Sequence, residues 1–336
     1  MPLEILLAHE SMLWTNTGLK KPDELAKKDL ILGADRSGNI CWREIIQVSK
    51  YQACGSCIHI ISNITEVNAP ANMVMCIQSF SRRTSKIEEI TRKDKLRIIS
   101  NPAYIWEKWT STKENEILTA QAFILGVAYR RVVLSEEKVV IKVPTEKVES
   151  LVDLLKKEFK LENLWKIGIN IEKGPILGNR NPPWSWLVLE SEQISNLIKS
   201  IHPKNSAPLF IRSNLKLYQA YIYGLTQVLG GKNEYGIVNF ETFPWEVDAR
   251  KLIYNLFFLF SIECNTKAVP SYSPEKIQIR VKESELKKVF DKPNFGLRGK
   301  KSVSNVRWIK KYPSSIYHIE TEGSDWSPIV DLAYIL

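Results

Sequence analysis

A chain of 336 residues is too long for one ordinary core, so two or three domains are expected, and a hydrophobic fraction of 44% lets each be packed. Five cysteines, an odd number, exclude a simple disulfide framework. Lys plus Arg outnumber Asp plus Glu by 47 to 37, and the net charge of +10 favours a polyanionic partner over a neutral one.

The opening stretch, residues 1–7, lacks the basic region and long apolar run of a secretory signal. No apolar run reaches the roughly 18 residues of a membrane span. The nearest, residues 252–262, is interrupted by Tyr254 and Asn255. A cytoplasmic protein with no membrane partner is the expectation, nucleoid-associated if it holds DNA.

Residues 1–104 read as β. Short apolar or alternating runs at 30–33, 40–42, 45–48, 58–61 and 73–77 are separated by turn-like stretches at 35–38, 54–56 and 68–72. Cys54 and Cys57, with His59 beyond, have half of a zinc-site spacing, but no second pair supplies the other ligands. A glycine-containing turn between two strands is the simpler reading there, and no metal is expected. Residues 20–25 and 86–96 resemble each other, each a short helical turn leading through Lys-Asp to an apolar strand, which suggests a duplicated β unit.

Two apolar helix-length runs follow about a hundred residues apart. In each an alanine precedes a glycine by four positions, Ala122 with Gly126 and Ala220 with Gly224. That spacing puts both small residues on one helix face, so two such helices can cross closely. After the first run come a hairpin through Ser135-Glu136-Glu137, a helix from Thr145, strands at 165–170 and 184–189, and a helix at 192–200. After the second come a strand at 235–240, a helix at 245–261, a strand at 276–281 and a helix at 283–290. Both halves read as αββαββα.

The front of the chain, Gly18 to Trp42, resembles the opening of the intein splicing (Hint) fold, and Ile316 to Trp326 resembles its closing strands. The middle resembles the LAGLIDADG homing endonucleases. The implied fold is α+β. A mostly-β Hint-like domain, residues 1–104 and 293–336, holds an inserted pseudo-symmetric two-repeat LAGLIDADG αββαββα domain at 117–292, with repeats at 117–200 and 215–292. Two pseudo-symmetric halves in one chain imply a monomer.

The resemblance also implies what is missing. In the family each signature helix ends in an acid, and the pair holds divalent metal ions for hydrolysis, a hard cation calling for oxygen ligands. With Gly126 and Gly224 as anchors, those acid positions fall on Arg131 and Leu229, and neither can ligate Mg²⁺. The intein nucleophile falls near Leu6, ahead of Glu10-Ser11. The Thr-Pro-Asn-His segment corresponds best to 69–72, without its histidine, and the chain closes on Tyr334-Ile335-Leu336 where the family has His-Asn. Both sets of catalytic residues are absent at these positions, so no catalysis and no cofactor are expected.

The binding surface is expected to persist. In the family two four-stranded sheets lie on double-stranded DNA, which makes duplex DNA the expected partner. The candidate contacts are Arg130, Arg131, Lys138, Lys142, Lys166, Lys267, Lys276, Gln278 and Arg280. Arg298, Lys300, Lys301, Arg307, Lys310 and Lys311 form a further basic run without an acid. Arg82, Arg83 and Lys86 make a smaller one. Two alternatives stay open: an active Mg²⁺-dependent homing endonuclease that recruits Glu136, Glu137 or Glu234, and an RNA or ribonucleoprotein binder using Trp165, Trp184 and Trp186.

Overall fold

The computed structural model describes residues 2–35, 37, 39–78, 83–99, 102, 105, 115–130, 132–160, 167–173, 184–201, 207–269, 275–290, 303–323 and 325–334. They form an α+β protein of antiparallel sheets, with seven α-helices among the described residues. The chain divides into two compact units, residues 1–110 with 232–336, and residues 111–231. The boundary at 231/232 falls inside the span 117–292. No described helix is long and apolar enough to cross a membrane.

The first unit begins with strands β1 (Leu3–Ala8), β2 (Leu13–Thr15), β3 (Gly18–Lys20), β4 (Leu30–Asp35), β5 (Ile40–Ser62), β6 (Glu66–Pro70), β7 (Val74–Gln78), β8 (Thr84–Lys86) and β9 (Lys95–Arg97). Asp35 closes the β4–β5 turn, its carboxylate accepting from the backbone N–H of Asn39. The two look-alike stretches fold alike. Each has a short 3₁₀ turn, Pro22–Glu24 and Ile87–Glu89. Each then has an aspartate whose carboxylate accepts the N–H three residues back, Asp29 from Ala26 and Asp94 from Thr91.

Two turn expectations are overturned in this region. Cys54-Gly-Ser is not a turn, because β5 runs unbroken for 23 residues. Gly55 is there for close approach: a Cβ on it would lie 2.0 Å from the Ile316 side chain. Of the turn expected at 68–72, residues 68–70 continue β6 in register with β5, and only Ala71 and Asn72 turn. Proline is tolerated where the strand ends.

The second unit opens with α1 (Glu116–Val127), β10 (Val132–Leu134), β11 (Lys138–Pro144) and α2 (Thr145–Asp153). It goes on with β12 (Gly168–Lys173), β13 (Trp184–Glu190), α3 (Glu192–Ile201), α4 (Leu209–Arg212) and α5 (Leu215–Leu229). Asparagines cap the two apolar helices: Asn115 accepts from the Leu118 N–H, and Asn214 from those of Lys216 and Leu217. Ser135 closes the β10–β11 hairpin on Lys138. The strand expected at 165–170 starts later, at Gly168, and Trp165 lies outside the described residues. The sheet order is β10-β11-β13-β12.

The chain returns through β14 (Gly230–Lys232) to β15 (Ile237–Thr242), α6 (Val247–Leu259), β16 (Cys264–Val269), β17 (Lys276–Lys282) and α7 (Glu283–Phe290). Strands β18 (Val303–Thr321), β19 (Trp326–Val330) and β20 (Ala333–Tyr334) follow. The sheet order β14-β15-β17-β16 matches that of the first sheet element for element. Strand β18 pairs along β5 and with β1, and β19 with β2 and β4, so the closing strands join the N-terminal ones in one sheet. Its core includes Ile5, Leu7, Ile45, Ile60, Val67 and Ile319.

Candidate nucleic-acid interface

In the second unit, α1 and α5 cross with each glycine against the backbone of the other helix. A Cβ on Gly126 would fall 2.0 Å from the Tyr221 carbonyl oxygen, and one on Gly224 would fall 2.1 Å from that of Phe123. Ala122 and Ala220 are buried on the same faces. Leu229 is buried as the last residue of α5 and offers no ligand atom. Arg131 lies outside the described residues.

The first sheet buries Val139, Ile141, Val143, Leu187 and Leu189 on one face. Strand alternation therefore gives the other face Lys138, Val140 and Lys142 from β11, Trp184, Trp186 and the buried Val188 from β13, and, across from the last two, the exposed Glu172 and Asn170 of β12. Lys142 Nζ stands 3.8 Å over the Trp184 ring and 5.8 Å from that of Trp186. The two indoles meet edge to face at 4.7 Å. Lys138 is 3.5 Å from Glu190, and both are largely exposed. Arg130 follows α1, half-buried, and Lys166 lies outside the described residues.

The second sheet has a different outer face. Val238, Phe240, Ile277, Ile279 and Val281 are buried, with Phe240 against Phe257 of α6 and Ile277 in a cluster with Ile61 and Trp308. The opposite face carries Asn239 and Glu241 from β15, Lys276, Gln278 and Arg280 from β17, and Asn265 and Lys267 from β16. Four of these, Lys267, Lys276, Gln278 and Arg280, are predicted contacts, brought together here. Register aligns Asn239, Arg280 and Asn265 in one row, and Glu241, Gln278 and Lys267 in the next.

Hydrogen bonds tie the rows. Arg280 Nη2 donates to Gln278 Oε1 at 2.9 Å, Gln278 Nε2 to Glu241 Oε1 at 2.8 Å, and Lys276 Nζ to Glu241 Oε2 at 2.9 Å. Arg280 Nε and Asn239 Oδ1 are shielded from solvent and have no hydrogen-bond partner. Of the third basic run, Arg307, Lys310 and Lys311 are exposed on β18, whereas Arg298, Lys300 and Lys301 lie outside the described residues. Arg83 and Lys86 are described and Arg82 is not.

Sequence reasoning missed a buried polar cluster in the first unit. Arg250 and Lys251 of α6 are 0% and 1% exposed. Arg250 holds Glu66 side-on through Nε at 2.7 Å and Nη2 at 2.8 Å. Its remaining N–H groups go to Thr242 Oγ1 and the carbonyls of Phe243 and Pro244, so all five donors are used. His59 Nε2 donates to the same Glu66 carboxylate. Lys251 donates to Asp331 Oδ2 at 2.8 Å and to the Glu10 carbonyl. Asp331 also accepts the N–H groups of Met12 and Asn68. The Glu10 carboxylate accepts from Tyr312 and Ser314, and Ser11 donates to the Asn68 carbonyl. Thus Glu10 and Ser11 are bound into the fold, while Asn72 is exposed after β6.

Burial and charge oppose each other here. Burial alone would raise the Glu66 carboxyl, but Arg250 and His59 prevail and hold it well below the usual carboxylate range. At Asp331 burial prevails over Lys251 and pushes the carboxyl up to about 6, above the ordinary range of an aspartate. The folded chain thus holds that proton harder than the unfolded one, so the Asp331 contribution is full below about pH 4 and is lost as pH rises through about 6. Glu66 acts oppositely, its contribution being present at neutral pH and lost only in acid. Asp331→Asn, which cannot titrate, isolates the first effect. In urea melts, wild-type stability relative to the variant is expected to fall by on the order of 2–3 kcal/mol from pH 4 to pH 7. A constant difference would contradict the assignment.

One described group could hold a cation: Glu4, His318 and Glu320, on facing positions of β1 and β18, have ligand atoms within 4.8 Å of one another. It shares strand β18 with the predicted contacts Arg307, Lys310 and Lys311.

No protein-family model matches the chain, and no curated protein matches it. Among solved structures, the homing endonuclease I-DmoI in complex with DNA and Mn is 14% identical with a TM-score of 0.35, over 52% of this chain and 95% of that one. The homing endonuclease I-WcaI bound to its DNA recognition sequence is 13% identical with a TM-score of 0.34, over 55% and 84%. A bacterial intein-like domain from Clostridium thermocellum is 11% identical with a TM-score of 0.25, over 28% and 66%. At such scores the likeness is partial.

Proposed function

We propose that this chain binds double-stranded DNA and has lost both cleavage and splicing, being an intein with an inserted two-repeat LAGLIDADG-type domain that acts as a monomer. The observation that carries this is the outer face of the second sheet. Guanidinium, amide and ammonium groups stand there in register on a twisted antiparallel surface, backed by an apolar inner face. Such groups match the base-edge acceptors and donors of the major groove. The exposed Arg307, Lys310 and Lys311 on β18 suit phosphates. Loss of cleavage is inferred from Leu229, buried and apolar where a metal-binding acid would stand. Loss of splicing is inferred from Leu6, apolar where a nucleophile would stand, and from residues 69–72, which lack the histidine.

Duplex binding by phosphate contacts must weaken with salt. The observed affinity is expected to fall linearly on a log–log plot, and Lys310→Ala is expected to flatten the slope by about one while weakening all sequences equally. Affinity that ignored salt would sink the reading.

A second reading draws on the first sheet, where Trp184, Trp186 and Lys142 offer planar and cationic surface to unstacked bases. Structured RNA outcompeting duplex DNA in a shift assay would favour it.

A further inference from the structure

We propose that Glu4, His318 and Glu320 form a binding site for a divalent cation of the zinc class, which clamps strand β1 onto β18. Strand alternation and register bring the three side chains together. His318 and Glu320 flank the buried Ile319 on β18 and so share one face. Glu4 of β1 lies directly across from Glu320. The donor set is one imidazole and two carboxylates, supplied by two strands, with ligand atoms within 4.8 Å of one another.

Two features of this arrangement call for a cation. Like charges directly across a strand pair destabilise it. Here Glu4 faces Glu320, and no described lysine or arginine pairs with either carboxylate. The second feature is a distance: His318 Nε2 stands 3.4 Å from Glu4 Oε2. That exceeds the usual N–H···O hydrogen bond of about 2.7–3.2 Å. It matches the spacing of two ligands on one tetrahedral zinc, roughly 3.3–3.5 Å for Zn–N and Zn–O bonds of about 2.0–2.2 Å. The His318 side chain is 14% exposed and held by the sheet, whereas that of Glu4 is 72% exposed. Glu4, with three rotatable bonds in solvent, can therefore close the last distance to the ion.

An imidazole with two carboxylates suits zinc and its first-row neighbours, whereas Mg²⁺ and Ca²⁺ prefer oxygen ligands throughout. Three protein ligands leave a fourth position for water on the exposed side. Strand β1 pairs with no described strand except β18, so a metal joining Glu4 to His318 and Glu320 adds a second hold on it. Metal bound only by the paired strands stabilises the fold.

The test takes the full chain, stripped with chelator, and titrates it with Zn²⁺ in a calorimeter and with Co²⁺ in a spectrophotometer, as wild type, Glu4→Gln, His318→Gln and Glu320→Gln. Wild type is expected to take up one equivalent and to melt several degrees higher with zinc. Its cobalt spectrum should lack thiolate-to-metal charge transfer, which separates this site from the cysteines. Each variant should bind at least about tenfold more weakly, the loss that follows even from removing a ligand's hydrogen-bond partner. Without metal, Glu320→Gln should melt no lower than wild type, because it removes one of two facing charges. Glu4→Gln, at an exposed side chain, keeps the test open if a β18 variant fails to fold. No uptake of zinc, thiolate bands in the cobalt spectrum, or affinity unchanged in the folded variants would overturn the site. None of these outcomes bears on duplex binding.

Discussion

Arg250→Ala is expected to destabilise the first unit by roughly 3–5 kcal/mol, enough to cancel a large part of a domain's stability. The substitution leaves Glu66 at 0% side-chain exposure with only His59 beside it, and it frees the carbonyls of Phe243 and Pro244 from their donors. The cost is that of an uncompensated buried carboxylate rather than the worth of the pair. Replacing both partners, Glu66→Leu with Arg250→Met, should therefore recover most of the loss. Urea unfolding of the single and double variants decides this. A double variant no more stable than Arg250→Ala would mean that the pair has value beyond compensating charge.

The second large effect is on the helix pair. Alanine normally gains about 1 kcal/mol over glycine in a helix interior. At Gly126 the sign should reverse, because the added Cβ meets the Tyr221 carbonyl at 2.0 Å and the backbone, unlike a side chain, cannot turn aside. Gly126→Ala is expected to cost roughly 2–3 kcal/mol as the two helices are forced apart, and to lower the melting temperature of the second unit by several degrees. An unchanged or raised melting temperature would show that α1 and α5 do not cross there.

The helix seam was legible because it is local: an Ala-xxx-Gly spacing puts two small residues on one face, and the sequence carries it twice. The outer-face residues of β17 were legible for the same reason, Lys276, Gln278 and Arg280 alternating with isoleucines. What escaped notice was long-range. Arg250 and Glu66 are 184 positions apart, and Lys251 and Asp331 are 80 apart. On a helix two adjacent cations read as a solvated face until the fold supplies acids on another strand. Strand β14, Gly230-Gly-Lys, has no apolar residue to mark it, and β16 alternates only weakly. Gly55 looked like a turn because glycine serves turns and close approach alike, and only the Ile316 side chain above it distinguishes the two.

The partners of these side chains also change what the expected DNA contacts mean. Lys138 and Lys142 are occupied by Glu190 and by the tryptophans, whereas the β17 side chains form a connected donor and acceptor row. A basic surplus alone does not separate these cases, since both strands contribute lysine. Register and partners do.

The central claim is that the chain holds duplex DNA and leaves it intact. The most direct measurement incubates the purified full chain with a duplex selected on it in Mg²⁺ or Mn²⁺ and resolves the products on native and denaturing gels. A shifted complex whose two strands remain full length is the predicted result; nicked or cut strands, or no shifted complex, would contradict it.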